Sequence, residues 1–188
     1  HFLSRTSVYD FVICMNEDSF IKDVASTNKN GVFIYNSNLK VDTTLLRQDV
    51  TNVAIPFKDL ATGVSDSVKL KKLLVNMIYI GVLSDLIDLS ETTIQSVIED
   101  QFAGKPEVIE SNKKAYSIGR QYSAQHLSSL KNQNPARVEP IAQGNQGKIL
   151  IDGNTATSLG LIYGGCSFLS WYPITPSSSV AENFMHYA

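Results

Sequence analysis

Apolar residues fall into runs of two periods along this chain. "YDFVICMN" (Tyr9 to Asn16) is a nearly continuous apolar run, the pattern of a strand buried on both faces. Phe20, Ile21 and Val24 follow at helical spacing. After a turn at Asn30-Gly31, a second buried strand runs from Val32 to Tyr35. Strand, helix, strand at these spacings makes a βαβ unit with a parallel pair, and "VTNVAIPF" adds a further short strand.

Helical periodicity then takes over. Val68, Leu70, Leu73, Leu74, Met77, Ile78 and Leu83 share one face, while "KLKK" (Lys69 to Lys72) reads as a solvated side of the same helix. Ser90 is placed to cap the next helix, with Leu89 and Ile94 at the spacing of a hydrophobic staple. Pro106 suits the first turn of a third helix running through Val108, Ala115, Ile118 and Tyr122 to Leu130. The stretch from Lys131 to Lys148 carries two prolines, two glycines and many amides, the composition of a linker or a draped connection. Beyond it the pattern predicts a short strand, a turn at Asp152-Gly153 and a small-residue helix to about Tyr163. A Gly164-Gly165 break and a second strand from Cys166 to Tyr172 complete it.

Composition narrows the class. Of 188 residues, 43% are hydrophobic and 18% charged, enough for a folded core. The formal net charge of -2, without any basic stripe, argues against a nucleic-acid partner. The longest apolar run, "LLVNMIYIGVL", is about half a membrane span and reads as a buried helix. Cys14 and Cys166 are far apart and outside any C-x-x-C, the usage of a reducing, cytoplasmic compartment with both thiols structural. Neither clustered thiolates for an iron–sulfur centre nor metal spacing among His1, His126 and His186 is present. "DGNTATSLG" matches no dinucleotide or phosphate-loop pattern, and its small residues suit close helix packing. With no initiator Met and an end soon after a predicted helix starts, the chain is expected to be a piece of something longer.

The chemistry concentrates in "SWYPITPSSSVAENF" (Ser170 to Phe184). Two prolines restrict Tyr172 and Thr175 to extended backbone. Thr175 is placed to cap a helix, with Pro176 at its first position and Ser177 and Ser178 in its first turn. A helix start of this kind is an anion site, for a carboxylate or phosphate. Capping alone explains the same residues without a ligand, and no partner base makes these serines nucleophiles.

Read together, Gly153, Asn154 and Ala156 in order and the full loop from Tyr172 to Ser178 resemble the start of the pyrimidine-binding domain of 2-oxoacid:ferredoxin (acceptor) oxidoreductases. "LLVNMIYIGVL" and "VIESNKKAYSIGRQYS" resemble the helical segment of the same family's gamma domain. The resemblance implies an α/β fold. Residues 1–130 would form a Rossmann-like gamma portion lacking its Gly-rich start, 131–148 a linker, and 149–188 the beginning of a pyrimidine-binding domain. It implies part of a fused gamma–alpha subunit that oxidatively decarboxylates a 2-oxoacid to its acyl-CoA and passes electrons to ferredoxin. Thr175 corresponds to the threonine that contacts the substrate carboxylate, Tyr172 and Pro173 would stand in the wall near the thiazolium, and Ser177 and Ser178 would form the anion-binding helix start. Thiamine diphosphate with Mg²⁺, held mostly by a beta subunit, and iron–sulfur clusters on partners are implied for the assembled enzyme. No catalytic group, metal site or bound cofactor is expected on this chain alone, which would be inert by itself. A non-catalytic assembly or regulatory module with the gamma fold is the alternative.

Overall fold

The computed structural model describes residues 7–64, 68–133, 137–138 and 146–188. The chain divides into two compact units, His1–Val138 and Glu139–Ala188.

The first unit is built on three parallel strands, β1 (Tyr9–Cys14), β2 (Thr27–Asn36) and β3 (Thr51–Ile55), in the order β1-β2-β3. The short helix α1 (Phe20–Ser26) supplies the first crossover, as the βαβ pattern predicts. Side chains of the central strand alternate between two cores, as a pleat requires. Val32 and Ile34 enter the larger core, with Ile55, Phe57, Leu74, Ile78 and Val82. Phe33 enters the smaller one, with Cys14, Phe20, Val24 and Val50. Phe20 meets Phe33 edge-on at 5.5 Å, a favoured geometry for two ring quadrupoles.

Two expectations need correction here. β1 is not buried on both faces: it lies at the edge of the three-stranded sheet, and only Cys14 of its residues is fully buried. The Asn30-Gly31 turn does not precede the second strand but sits inside it, as a bulge. Pairing runs from Tyr9↔Thr27 directly to Phe11↔Val32, so β2 uses three more residues than β1 over that stretch. Asn30 adopts φ 63°, and a Cβ at Gly31 would approach the carbonyl oxygens of Asn28 and Asp10 to 2.9 Å. Only glycine fits that gap.

The helical layer comprises α2 (Phe57–Leu60), α3 (Val68–Leu86), α4 (Glu91–Gln101), α5 (Pro106–His126) and α6 (Ser128–Gln133). Ser90 caps α4, its hydroxyl accepting from the N–H of Thr93 at 3.4 Å, and Pro106 stands in the first turn of α5. The third helix stops short of Leu130. Leu127 turns out of the helical conformation, its N–H still held by the Ser123 carbonyl, and α6 starts anew.

α3 and α5 cross with Gly81 and Gly119 face to face. A Cβ on Gly81 would overlap the Tyr116 carbonyl oxygen, and one on Gly119 the Ile78 carbonyl oxygen, with Val82 N at 3.0 Å. Near the end of α3 the buried Asp85 accepts from the Ser123 hydroxyl at 2.8 Å and from Lys131 at 3.1 Å. Asp88 pairs with Lys131 and Arg137, each at 2.7 Å. The N–H of Val138 donates to the Ile87 carbonyl at 3.0 Å, which ties the end of the first unit to α3.

The second unit is a hairpin of two helices, α7 (Gly153–Tyr163) and α8 (Ser177–Tyr187). Asp152 caps α7, accepting from the N–H groups of Asn154 (2.9 Å) and Thr155 (3.0 Å). The strands expected before α7 and over Cys166–Tyr172 are absent. Both segments are without regular structure, and Leu150, Phe168 and Tyr172 are exposed at 95%, 81% and 77%. An apolar run becomes a strand only when a neighbour takes its hydrogen bonds and covers a face.

Two consequences are measurable. Gly119→Ala should lower the unfolding free energy by about 3 kcal/mol or more, the upper range for overpacking, read from the urea midpoint. A loss below about 0.5 kcal/mol, the range of neutral surface changes, would contradict the helix crossing. The second concerns Asp88, whose carboxyl is held below the usual carboxylate range first by the Lys131 hydrogen bond and further by the charges of Lys131 and Arg137. A carboxyl lowered in the folded state stabilises it above its unfolded value, about 3.9, and that contribution vanishes as pH falls through the folded value. Amide-exchange protection at Val138 should therefore drop below about pH 4. Asp88→Asn should show the drop already at neutral pH; equal protection in variant and wild type there would show that the ion pairs do not hold the segment.

Candidate functional site

The loop between the two helices of the second unit carries the residues that the sequence singles out. Its backbone is closed on itself. The N–H of Ile174 donates to the Tyr172 carbonyl at 2.7 Å, a three-residue turn centred on Pro173. The Ser177 hydroxyl lies within reach of two carbonyls, Tyr172 at 2.7 Å and Ile174 at 2.6 Å, and donates its single proton to one at a time. The N–H of Ser178 donates to the Ile174 carbonyl at 3.3 Å. The Thr175-Pro176 peptide is cis.

This closure revises the capping scheme. Pro176, not Thr175, occupies the cap position of α8, with no side-chain cap hydrogen bond. Ser177 and Ser178 are therefore the first two helical residues, but the Ser177 hydroxyl turns back into the loop instead of outward. The same arrangement leaves the Thr175 hydroxyl exposed and without a hydrogen-bond partner among the described residues. Tyr172 and Pro173 are exposed beside it. The sequence places these residues in one loop but misreads the cap: Pro176 takes that position, the Ser177 hydroxyl braces the loop, and the Thr175 hydroxyl has no partner among the described residues.

The loop owes its position to a polar seam between the helices that capping arguments missed. Asn154 donates to the Ser179 hydroxyl at 2.7 Å, and the buried Ser158 hydroxyl lies 2.7 Å from the Val180 carbonyl and 2.9 Å from that of Asn154. Asn183 donates to the Thr155 hydroxyl at 3.0 Å. The spacing of Asn154 and Ser158, one helical turn apart, was the available signal. Of the small residues expected to allow close packing, Ala156, Thr157 and Gly160 are exposed instead, and a Cβ on Gly160 would touch nothing.

Among the described residues no three carboxylate, imidazole or thiol groups come together as a metal site. Cys14 is buried, and burial raises its thiol pKa ahead of the neighbouring Asp23. The Cys166 thiol donates to the Phe168 carbonyl at 3.1 Å. No described helix is long and apolar enough to cross a membrane.

Comparisons with known proteins bear on both units. The family described as pyruvate ferredoxin/flavodoxin oxidoreductase matches residues 3–122. The alpha subunit of a 2-oxoacid:ferredoxin oxidoreductase from Saccharolobus solfataricus is 32% identical over 130 residues, which cover 67% of this chain and 19% of that subunit. A second alpha subunit, of 2-oxoacid:ferredoxin oxidoreductase 2 from Aeropyrum pernix, is 34% identical over 88 residues, 47% of this chain and 13% of that subunit. Among solved structures, a 2-oxoglutarate:ferredoxin oxidoreductase from Magnetococcus marinus, with 2-oxoglutarate, coenzyme A and succinyl-CoA bound, superposes with a TM-score of 0.78 at 27% identity. That match covers 95% of this chain and 30% of the other. The chain thus spans about a fifth or less of the curated alpha subunits it matches. With a family match over well more than half its residues, this chain belongs to the pyruvate ferredoxin/flavodoxin oxidoreductase family.

Proposed function

We propose that this chain is the gamma-to-pyrimidine-domain part of the alpha subunit of a 2-oxoacid:ferredoxin oxidoreductase, and that its Tyr172–Ser178 loop binds the carboxylate of the 2-oxoacid. The observation that carries this reading is the Thr175 hydroxyl, exposed and without a partner among the described residues, in a loop whose backbone is closed by its own hydrogen bonds. A hydroxyl held out by a closed backbone gives a hydrogen bond to a charged acceptor at little further ordering cost.

In this reading each residue has a limited task. Thr175 donates to the substrate carboxylate and fixes which way the 2-oxo carbon faces. Tyr172 and Pro173 offer an apolar wall against the ring of the cofactor. The N-terminus of α8, at Ser177 and Ser178, adds the positive end of a helix of eleven residues toward the same anion, while the Ser177 hydroxyl keeps the loop from collapsing. Thiamine diphosphate supplies the carbanion chemistry of the family when bound. The diphosphate, its Mg²⁺ and the iron–sulfur clusters would be held by the beta subunit and other partners, and ferredoxin would take the electrons. Pyruvate or 2-oxoglutarate, together with coenzyme A, are the substrates in view. Domain limits of 1–130, 131–148 and 149–188 belong to this proposal; positions 134–136 and 139–145 of the middle segment lie outside the described residues. A cytoplasmic setting agrees with two free thiols.

The test is the full-length alpha subunit assembled with its beta subunit, assayed for ferredoxin reduction with pyruvate and with 2-oxoglutarate. Thr175→Ala should lower kcat/KM for the preferred acid by about 10- to 100-fold, the loss of one hydrogen bond to a charged group. Thr175→Ser should restore most of it. Wild-type kinetics in the alanine variant would remove the role given to Thr175.

A further inference from the structure

The first unit holds a cleft that the loop chemistry does not use. It opens beyond the carboxyl ends of β1 and β2, has a volume of about 460 Å³, and is bounded by Asn36, the last residue of β2, by Tyr79 of α3, and by Lys58 and Lys72. Met15, Leu39 and Val75 give it an apolar side, and Glu17 and Asp18 also line it. Small-molecule sites occupy this size range, and in open parallel sheets they form at this edge.

The informative residue is Asn36. It is 4% exposed. Its side-chain oxygen accepts from the N–H of Asn38 at 3.2 Å, which assigns the other end of the amide as the NH₂. That NH₂ has no acceptor among the described residues. A buried amide donor left unmade costs free energy unless something in the cleft accepts from it. The two lysines form no ion pair among the described residues, so their charge remains available to a ligand. The carboxylates have the opposite preference. Glu17 already accepts from the N–H of Lys40 at 2.8 Å, while Asp18 has no partner among the described residues. A bare anion therefore suits the cleft less well than one that also carries hydroxyl groups.

We propose that this cleft binds a small hydroxylated organic anion, its phosphate or carboxylate held by the Asn36 amide, Lys58 and Lys72 and its hydroxyls donating to Glu17 and Asp18. The inference is drawn from the first unit alone and does not rest on the role given to Thr175. Phosphate and carboxylate share the oxyanion chemistry that the donors recognise, and the test separates them.

The whole 188-residue chain, labelled with ¹⁵N, is titrated with glycerol 3-phosphate, with glycerate and with glycerol as the neutral control, at constant ionic strength. The expected result is a saturable shift of the Asn36 side-chain NH₂ resonances with one of the two anions and none with glycerol. The anion that saturates names the group. The Lys58→Gln, Lys72→Gln double variant changes exposed positions and should keep the fold, as its amide spectrum would report. Its affinity should fall at least about tenfold, the loss of charge-assisted contacts. No saturable shift with either anion overturns the proposal, and so does a double variant that binds as tightly as wild type. A shift with glycerol equal to that with the anions likewise overturns it, because the site would then read hydroxyls and not charge.

Discussion

Two glycines set how closely α3 and α5 approach, and most of the first unit follows from that contact. With Gly81 and Gly119 opposed, the helix backbones touch through carbonyl oxygens and not through side chains. Any larger residue would push the axes apart and open the core that Ile78, Val82, Leu86 and Ala115 close. The same contact sets α3 along the sheet, so that Tyr79 reaches the end of β1, its hydroxyl 3.5 Å from the Cys14 carbonyl, and Asp85 reaches Ser123. Burial, with the nearby Cys14 adding to it, pushes the Tyr79 phenol up to about 12. At neutral pH it is therefore an uncharged part of the cleft wall.

The second unit uses polar contacts where the first uses apolar ones. α7 and α8 bury little between them: Ser158 and Ala181 are their fully buried residues. Hydrogen bonds from Asn154, Ser158 and Asn183 hold the pair in register, and these contacts are directional. The loop between them has a geometry specified by its own carbonyls and by one serine. The Thr175 hydroxyl on that loop is exposed and has no partner among the described residues.

Legibility of the structure in the sequence varied with the range of the interaction. The cap at Ser90 and the proline at the head of α5 involve partners within a few residues, so their residue types alone announce them. The βαβ start was equally plain, because three successive apolar segments of the right period leave few alternatives. Failures came where the decisive partner lies on a distant segment or on the backbone of the loop itself. Asn30-Gly31 reads as a turn, yet it is a bulge because Asp10 and Asn28 close around the glycine. Cys166–Tyr172 reads as a strand, yet it has no strand beside it. Thr175 reads as a cap, yet the Tyr172 and Ile174 carbonyls take the Ser177 hydroxyl and shift the helix start by one residue.

The sequence by itself determined the class of fold, the starts of α4 and α5 and the loop that resembles a substrate-binding element, since each depends on local conformational preference or on a short run of specific residues. Tertiary structure decided which glycines are needed for contact, and that a buried asparagine and two lysines border one cleft. Those facts depend on distances between residues tens of positions apart, and a linear pattern carries no such distance.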